Sequence, residues 1–242
     1  MDPEMTPIRP GESFRFDCSP RVPCFNDCCR DLNQFLTPYD VLRLKTHLGL
    51  RSADFLSRHA VVHAGPRTGL PVASFRTDPD AGHPCPFVSP EGCRVYPARP
   101  GACRTYPLAR LVSRDRTTGD LTETYAVLRE PHCRGFESDR SQTLDEWIEA
   151  QGIAPYNEMN DRLMEVIAVK NRRWPGPLDP RTADRVRRAF YDIDGFRESL
   201  ADGGILTDLD IDPDRRDRAL EDDLELLRLA TDWVRDLLLK GA

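Results

Sequence analysis

The chain has 242 residues, 39% of them apolar and 31% charged, with a formal net charge of −6. That length can bury a hydrophobic core without covalent staples, and the balance is that of a globular chain. Residues 1–140 carry 19 basic and 17 acidic side chains and residues 141–242 carry 15 and 23, which leaves no basic footprint for nucleic acid. No apolar run is long enough to span a bilayer.

In chain order, the first regular element expected is a helix starting at Thr37-Pro38-Tyr39-Asp40. Thr37 is a capping residue, Pro38 fits the first helical position and Asp40 the first turn. Val41, Leu44 and Leu48 recur on one face, and Gly49 is the stop. Ser52 reads as the cap of a second short helix holding Phe55 and Leu56. Strands follow at 72–77, 108–113 and 121–128. The last two are joined by a polar turn of Thr118, Gly119 and Asp120, which reads as a hairpin.

From residue 143 helical periodicity takes over. Thr143 and Glu146 make a capping box, with Gly152 as the stop. A helix over 155–173 is expected to bury Leu163, Met164, Val166 and Ile167, and Trp174-Pro175-Gly176-Pro177 ends it. Asp179-Pro180 opens another with Val186, Phe190 and Ile193. Asp212-Pro213 opens the last, where Leu220, Leu224, Leu227, Val234 and Leu238 trace a stripe. Its polar side is acidic, so the stripe is read as a core face in preference to a membrane-surface one.

The chemistry concentrates earlier. All eight cysteines lie between residues 18 and 133. Cys18, Cys24, Cys28 and Cys29 form a C-x5-C-x3-C-C run; Cys85, Cys93, Cys103 and Cys133 form C-x7-C-x9-C-x29-C. The stretch Met1–Phe16 lacks the apolar region of a secretory signal, so the thiols are expected in a reducing, cytoplasmic pool where structural disulfides are rare. Thiolates are soft ligands that suit zinc or iron–sulfur centres. Eight would satisfy two tetrahedral four-thiolate zinc ions or two cubane clusters. Neighbouring side chains diverge, so Cys28 and Cys29 suit two centres, an extended cluster, or one metal plus a structural contact, better than a shared grip on one small ion. That tilts the reading toward iron–sulfur. The radical-type C-x3-C-x2-C motif fails at Asp31, and no C-x-x-C is present.

Cys93-Arg94-Val95-Tyr96-Pro97 is echoed ten residues later by Cys103-Arg104-Thr105-Tyr106-Pro107. Arg94 and Arg104, each directly after a cysteine, are candidates to aim charge-assisted donors at thiolate or sulfide; the alternative is solvated turn arginines. Tyr96 and Tyr106 are assigned to packing. His83 and His132 each lie within two positions of a cysteine but, like Asp27 and Asp31, stay outside the ligand set. There is no glycine-rich phosphate loop and no G-x-S-x-G elbow.

The segment Phe16 to Cys29, followed by Cys85 and the C-x-x-Y-P-x-R-P-x-x-C-R-x-Y-P run from Cys93 to Pro107, resembles the YkgJ-type cysteine-cluster family over about residues 14–136. The family's first element is tighter, C-x2-C-x2-C-C. The resemblance implies a zinc- or iron-chelating domain. Related patterns in flagellin lysine methylases raise the alternative of a cluster-dependent enzyme, and a zinc-stapled interaction module is a third reading. The expected fold is α+β: a cysteine-rich metal-binding domain at 12–140 with a small antiparallel sheet, then a mainly helical region at 141–242 packing on it. All eight cysteines are expected ligands of an iron–sulfur centre or zinc, with metal ions as partners, an unidentified protein partner, no nucleic acid and no membrane.

Overall fold

The computed structural model describes residues 4–30, 34–114, 121–203 and 211–240. Contacts divide the chain into two units that interleave in sequence: Met1–Leu32 with Pro79–Pro155, and Asn33–Asp78 with Tyr156–Ala242. The chain is α+β, as expected, with four small antiparallel sheets among the described residues and long helices toward the C-terminus.

In the first unit the strand Leu121–Arg129 lies between Glu4–Ile8 and Leu108–Arg114, with Tyr125 opposite Ile8 and Arg110. The expected hairpin pairing of the last two strands is present, while its turn at 118–120 lies outside the described residues. Ser13–Arg15 pairs with Ser141–Thr143. Phe14 and Phe16 turn to one side of that chain segment, because side chains two apart share a face. Both meet the Trp147 ring edge-on, at 6.0 and 5.6 Å. Trp147 belongs to the helix Leu144–Gln151, which opens with the expected Thr143–Glu146 capping box and stops at Gly152, φ 59°. Ile8, Leu108, Val127, Leu144 and Ile153 complete this core, each such side chain stabilising by roughly 1.5–3 kcal/mol on full burial.

In the second unit Pro71–Phe75 lies between Phe35–Leu36 and Ala60–Ala64. The helix Pro38–His47 has the expected Thr37 cap, completed by Asp40 as a capping box. Ser52 departs from expectation. It stands inside the helix Ser52–His59, whose N-cap is Arg51. Its N–H and hydroxyl both donate to Asp194 Oδ2 at 2.6 Å. Lys45 Nζ lies 3.1 Å from Asp194 Oδ1 and 3.1 Å from Asp223 Oδ2, so a buried ammonium is answered by two carboxylates.

Three helical expectations need correction. Met164 is exposed, and Ala154–Arg173 buries Tyr156, Met159, Val166 and Lys170. Ile193 begins its own helix, Ile193–Ala201, because the Asp192 carboxylate takes the Gly195 N–H as a new cap. The single last helix is two, Pro213–Glu221 and Asp223–Lys240. Asp222 breaks it with an extended backbone, and its carboxylate accepts from Leu224 and Glu225 N–H, both at 2.8 Å. An aspartate that offers the backbone its own acceptor competes with helix continuation. Leu227, Val234 and Leu238 are buried as a core face; Leu220 and Leu224 are only partly so.

Candidate metal centre

Residues 19–30 form a chain of tight turns. Val22 N–H donates to Ser19 O, Phe25 to Val22 O and Asp27 to Cys24 O, and the series ends in the 3-10 turn Asp27–Cys29. Asn26 enters that turn at φ 71°, a left-handed conformation that asparagine tolerates through its short polar side chain. With three residues per turn, successive side chains point about 120° apart. Cys28 and Cys29 therefore face different surroundings, although their sulfurs are 3.9 Å apart.

Cys28 lines a cavity of about 30 Å³ together with Cys18, Cys24 and Cys133, with Asp17, Tyr106 and His132 also in its wall. Gly135 brings Cys133 there. Asp17 N–H donates to Gly135 O at 3.0 Å, and a Cβ at 135 would lie 2.6 Å from both Asp17 O and Phe16 Cε2. The next backbone N–H after Cys133, that of Arg134, already donates to Cys24 Sγ at 3.0 Å. Burial, and then the neighbouring Cys28, Cys133 and Cys24, push the Cys18 thiol up to about 11. The hydrogen bond with Cys29 holds Cys28 down at about 7, and the same contact pushes Cys29 up.

Cys29 stands outside that cavity wall. Cys85 N–H donates to Cys29 O at 2.7 Å. The hairpin of Val88–Ser89 and Gly92–Cys93 docks on the same turn, where Asn26 Nδ2 donates to Ser89 O at 3.0 Å. Gly92, at φ 125°, passes so close to Phe25 that a Cβ would lie 3.2 Å from Cζ. Cys85 and Cys103 both act on Cys29, and Cys93 acts on Cys85. Cys103 stands in the short helix Gly101–Thr105 and is exposed.

The arginines divide by role. Arg94 lies near Cys85 and Cys93, where its charge favours the thiolates, and donates to Pro86 O at 2.6 Å. Arg104 stands in another setting from the one expected: it is buried, with Nε on Arg99 O at 3.0 Å, Nη1 on Gln151 O at 2.8 Å, and Nη2 on Pro97 O. It clamps the loop's carbonyls. Arg99, which sequence reasoning passed over, acts on Cys93 and stacks 3.8 Å over the Tyr96 ring. Its signal was the invitation of Y-P-x-R-P between two cysteines. The Tyr106 ring packs on Phe16 at 5.7 Å, as expected. Its hydroxyl is buried without a hydrogen bond of ordinary geometry and faces Cys133 and Glu130. His132 lines the cavity with Nε2 3.8 Å from Glu130 Oε2; His83 does not line it. Asp31 lies outside the described residues.

Among the described residues, no three His, Cys, Asp or Glu side chains already stand in an arrangement that could hold a metal ion. The donor set nonetheless fits one in its chemistry. All eight cysteines are free thiols, four share one cavity wall, and an N–H is aimed at one sulfur, as thiolate ligands require. Residues 17–134 match the CxxCxxCC family, described as "Putative zinc- or iron-chelating domain". That stretch is thus similar to this cysteine-cluster family, a likeness that supports metal binding and covers zinc and iron alike. Searches of curated proteins and of solved structures found no match. No described helix is long and apolar enough to cross a membrane.

Proposed function

We propose that this is a metal-binding protein in which the thiolates of Cys18, Cys24, Cys28, Cys29, Cys85, Cys93, Cys103 and Cys133 hold zinc or iron. The observation that carries the reading is the cavity walled by Cys18, Cys24, Cys28 and Cys133, drawn from both ends of the cysteine-bearing stretch. Each thiol would give up its proton on binding a metal ion.

The role is structural or metal-handling. A catalytic zinc keeps an open coordination position, whereas four thiolates fill one. Bound metal would cross-link segments far apart in sequence. Arg94 offsets thiolate charge near Cys85 and Cys93, and Arg104 fixes the loop that carries Cys103. A reducing, cytoplasmic setting goes with eight free thiols.

Metal and acid-labile sulfide content of anaerobically purified protein tests this. Stoichiometric zinc or iron without sulfide is expected. Iron with matching sulfide would replace the single ions by a cluster and bring redox roles forward. Protein that takes up neither metal would overturn the reading.

A further inference from the structure

We infer that the eight thiols form two four-thiolate sites whose membership crosses the two runs of the sequence: Cys18, Cys24, Cys28 and Cys133 in one, Cys29, Cys85, Cys93 and Cys103 in the other. This rests on the metal-binding reading and specifies which thiols share an ion.

Two independent features carry the partition. The first is the cavity, whose wall holds four cysteines, one of them Cys133 and none of them Cys29. The second is backbone pairing. Arg134 N–H reaches Cys24 Sγ, which ties the Cys133 loop to the first run. Cys85 N–H reaches Cys29 O, which ties the second run to Cys29. The electrostatic neighbours agree in part: Cys18 is acted on by Cys28, Cys133 and Cys24, and Cys29 first by the adjoining Cys28 and then by Cys85 and Cys103.

The two sites are close. A zinc–sulfur bond is about 2.3 Å, so with the Cys28 and Cys29 sulfurs 3.9 Å apart the two ions lie within roughly 9 Å of each other. Four thiolates around a divalent ion leave a net negative charge on each site. Arg94 and Arg99 lie near the Cys85–Cys93 side; at the other, Arg134 lies near Cys24, and Arg21 and Arg140 pair with Asp17.

Double substitutions discriminate this partition from the sequence-run grouping. In the full-length chain loaded with zinc, the wild type is expected to bind two equivalents. Cys24→Ser/Cys133→Ser retains one and Cys24→Ser/Cys85→Ser none, because the first pair damages one site and the second pair damages both. Loss of both equivalents in Cys24→Ser/Cys133→Ser overturns the partition while leaving metal binding intact. Wild type that binds no zinc and no iron sinks the underlying reading instead. For variants that do not fold, cadmium-113 in the wild-type chain gives the same answer. One resonance correlated to the β-protons of Cys28 and Cys133 and a second to those of Cys29 and Cys85 are expected; a single cadmium correlated to both Cys28 and Cys29 overturns the assignment.

Discussion

The backbone N–H of Cys85 donates to the carbonyl of Cys29 at 2.7 Å, so the second cysteine run is held against the first by main-chain bonding. With the aromatic core of Phe14, Phe16 and Trp147, this places the thiols near one another before any ion arrives. Metal then adds stability without creating the fold. At a free metal concentration about a hundred times Kd, binding adds about 2.7 kcal/mol. Chelation should therefore lower Tm by roughly 5–10 °C, with far-UV circular dichroism retained at low temperature. An unchanged Tm after verified metal removal would refute a structural role.

Tyr106→Phe separates packing from polarity at the cavity. The ring contact with Phe16 is kept, and a buried hydroxyl without an ordinary partner is removed. Metal-free protein should be unchanged or more stable by about 1 kcal/mol. If the hydroxyl turns to the Cys133 thiolate in the loaded state, metal affinity falls roughly tenfold. Competition with a chromophoric chelator reads this directly, and equal affinities would leave Tyr106 with packing alone.

Arg94 and Arg104 should part company. Arg104→Ala strips donors from three carbonyls and is expected to lower stability by about 1.5–3 kcal/mol, measured by urea unfolding of the metal-free chain. Arg94→Ala should leave that stability near wild type and lower metal affinity roughly tenfold. The reverse pattern would return Arg104 to the neighbourhood of the ligands.

Gly135→Ala inserts a methyl where Asp17 O and Phe16 Cε2 leave 2.6 Å. Backbone must shift, at a cost of about 1–3 kcal/mol, and Cys133 moves with it. Lower Tm together with weaker metal binding is expected; wild-type values for both would show that the loop has room the structure does not reveal.

Asp194 predicts the acid limb of stability. Burial alone would raise its carboxyl, but the Ser52 hydroxyl and N–H and the Lys45 ammonium outweigh it and hold the group below the ordinary aspartate value. A depressed folded value stabilises above the unfolded pKa, near 3.9, and that contribution is lost as pH falls through the folded value. Asp194→Asn should cost about 1.5–3 kcal/mol at neutral pH and flatten the loss of stability below about pH 4. Parallel wild-type and variant pH profiles would count against this assignment.

The elements most legible in the sequence are those set within one turn of chain. Thr37-Pro38-Tyr39-Asp40 and Thr143 with Glu146 carry their caps locally, and both helices start where those residues stand. Ser52 looked the same but spends its hydroxyl on Asp194, a partner no local pattern names. The breaks at Asp192 and Asp222 escaped because neither uses proline or glycine. The cysteine chemistry was legible as composition and spacing, and Cys28-Cys29 announced a divergence. What could not be read was which thiols meet, since that depends on the Gly135–Phe16 approach and the Cys85–Cys29 bond, both between residues remote in sequence.

The reach from Cys28 to Cys133 has a consequence during synthesis. More than a hundred residues separate them, so at about 5–20 residues per second the ribosome delivers Cys133 roughly 5–20 s later. Throughout that interval Cys18, Cys24 and Cys28 are together with Cys29 on a nascent chain that still lacks Cys133. Metal supplied then meets the linear set; metal supplied afterwards meets the folded one. Timing of supply thus joins geometry in deciding which sulfurs end on the same ion.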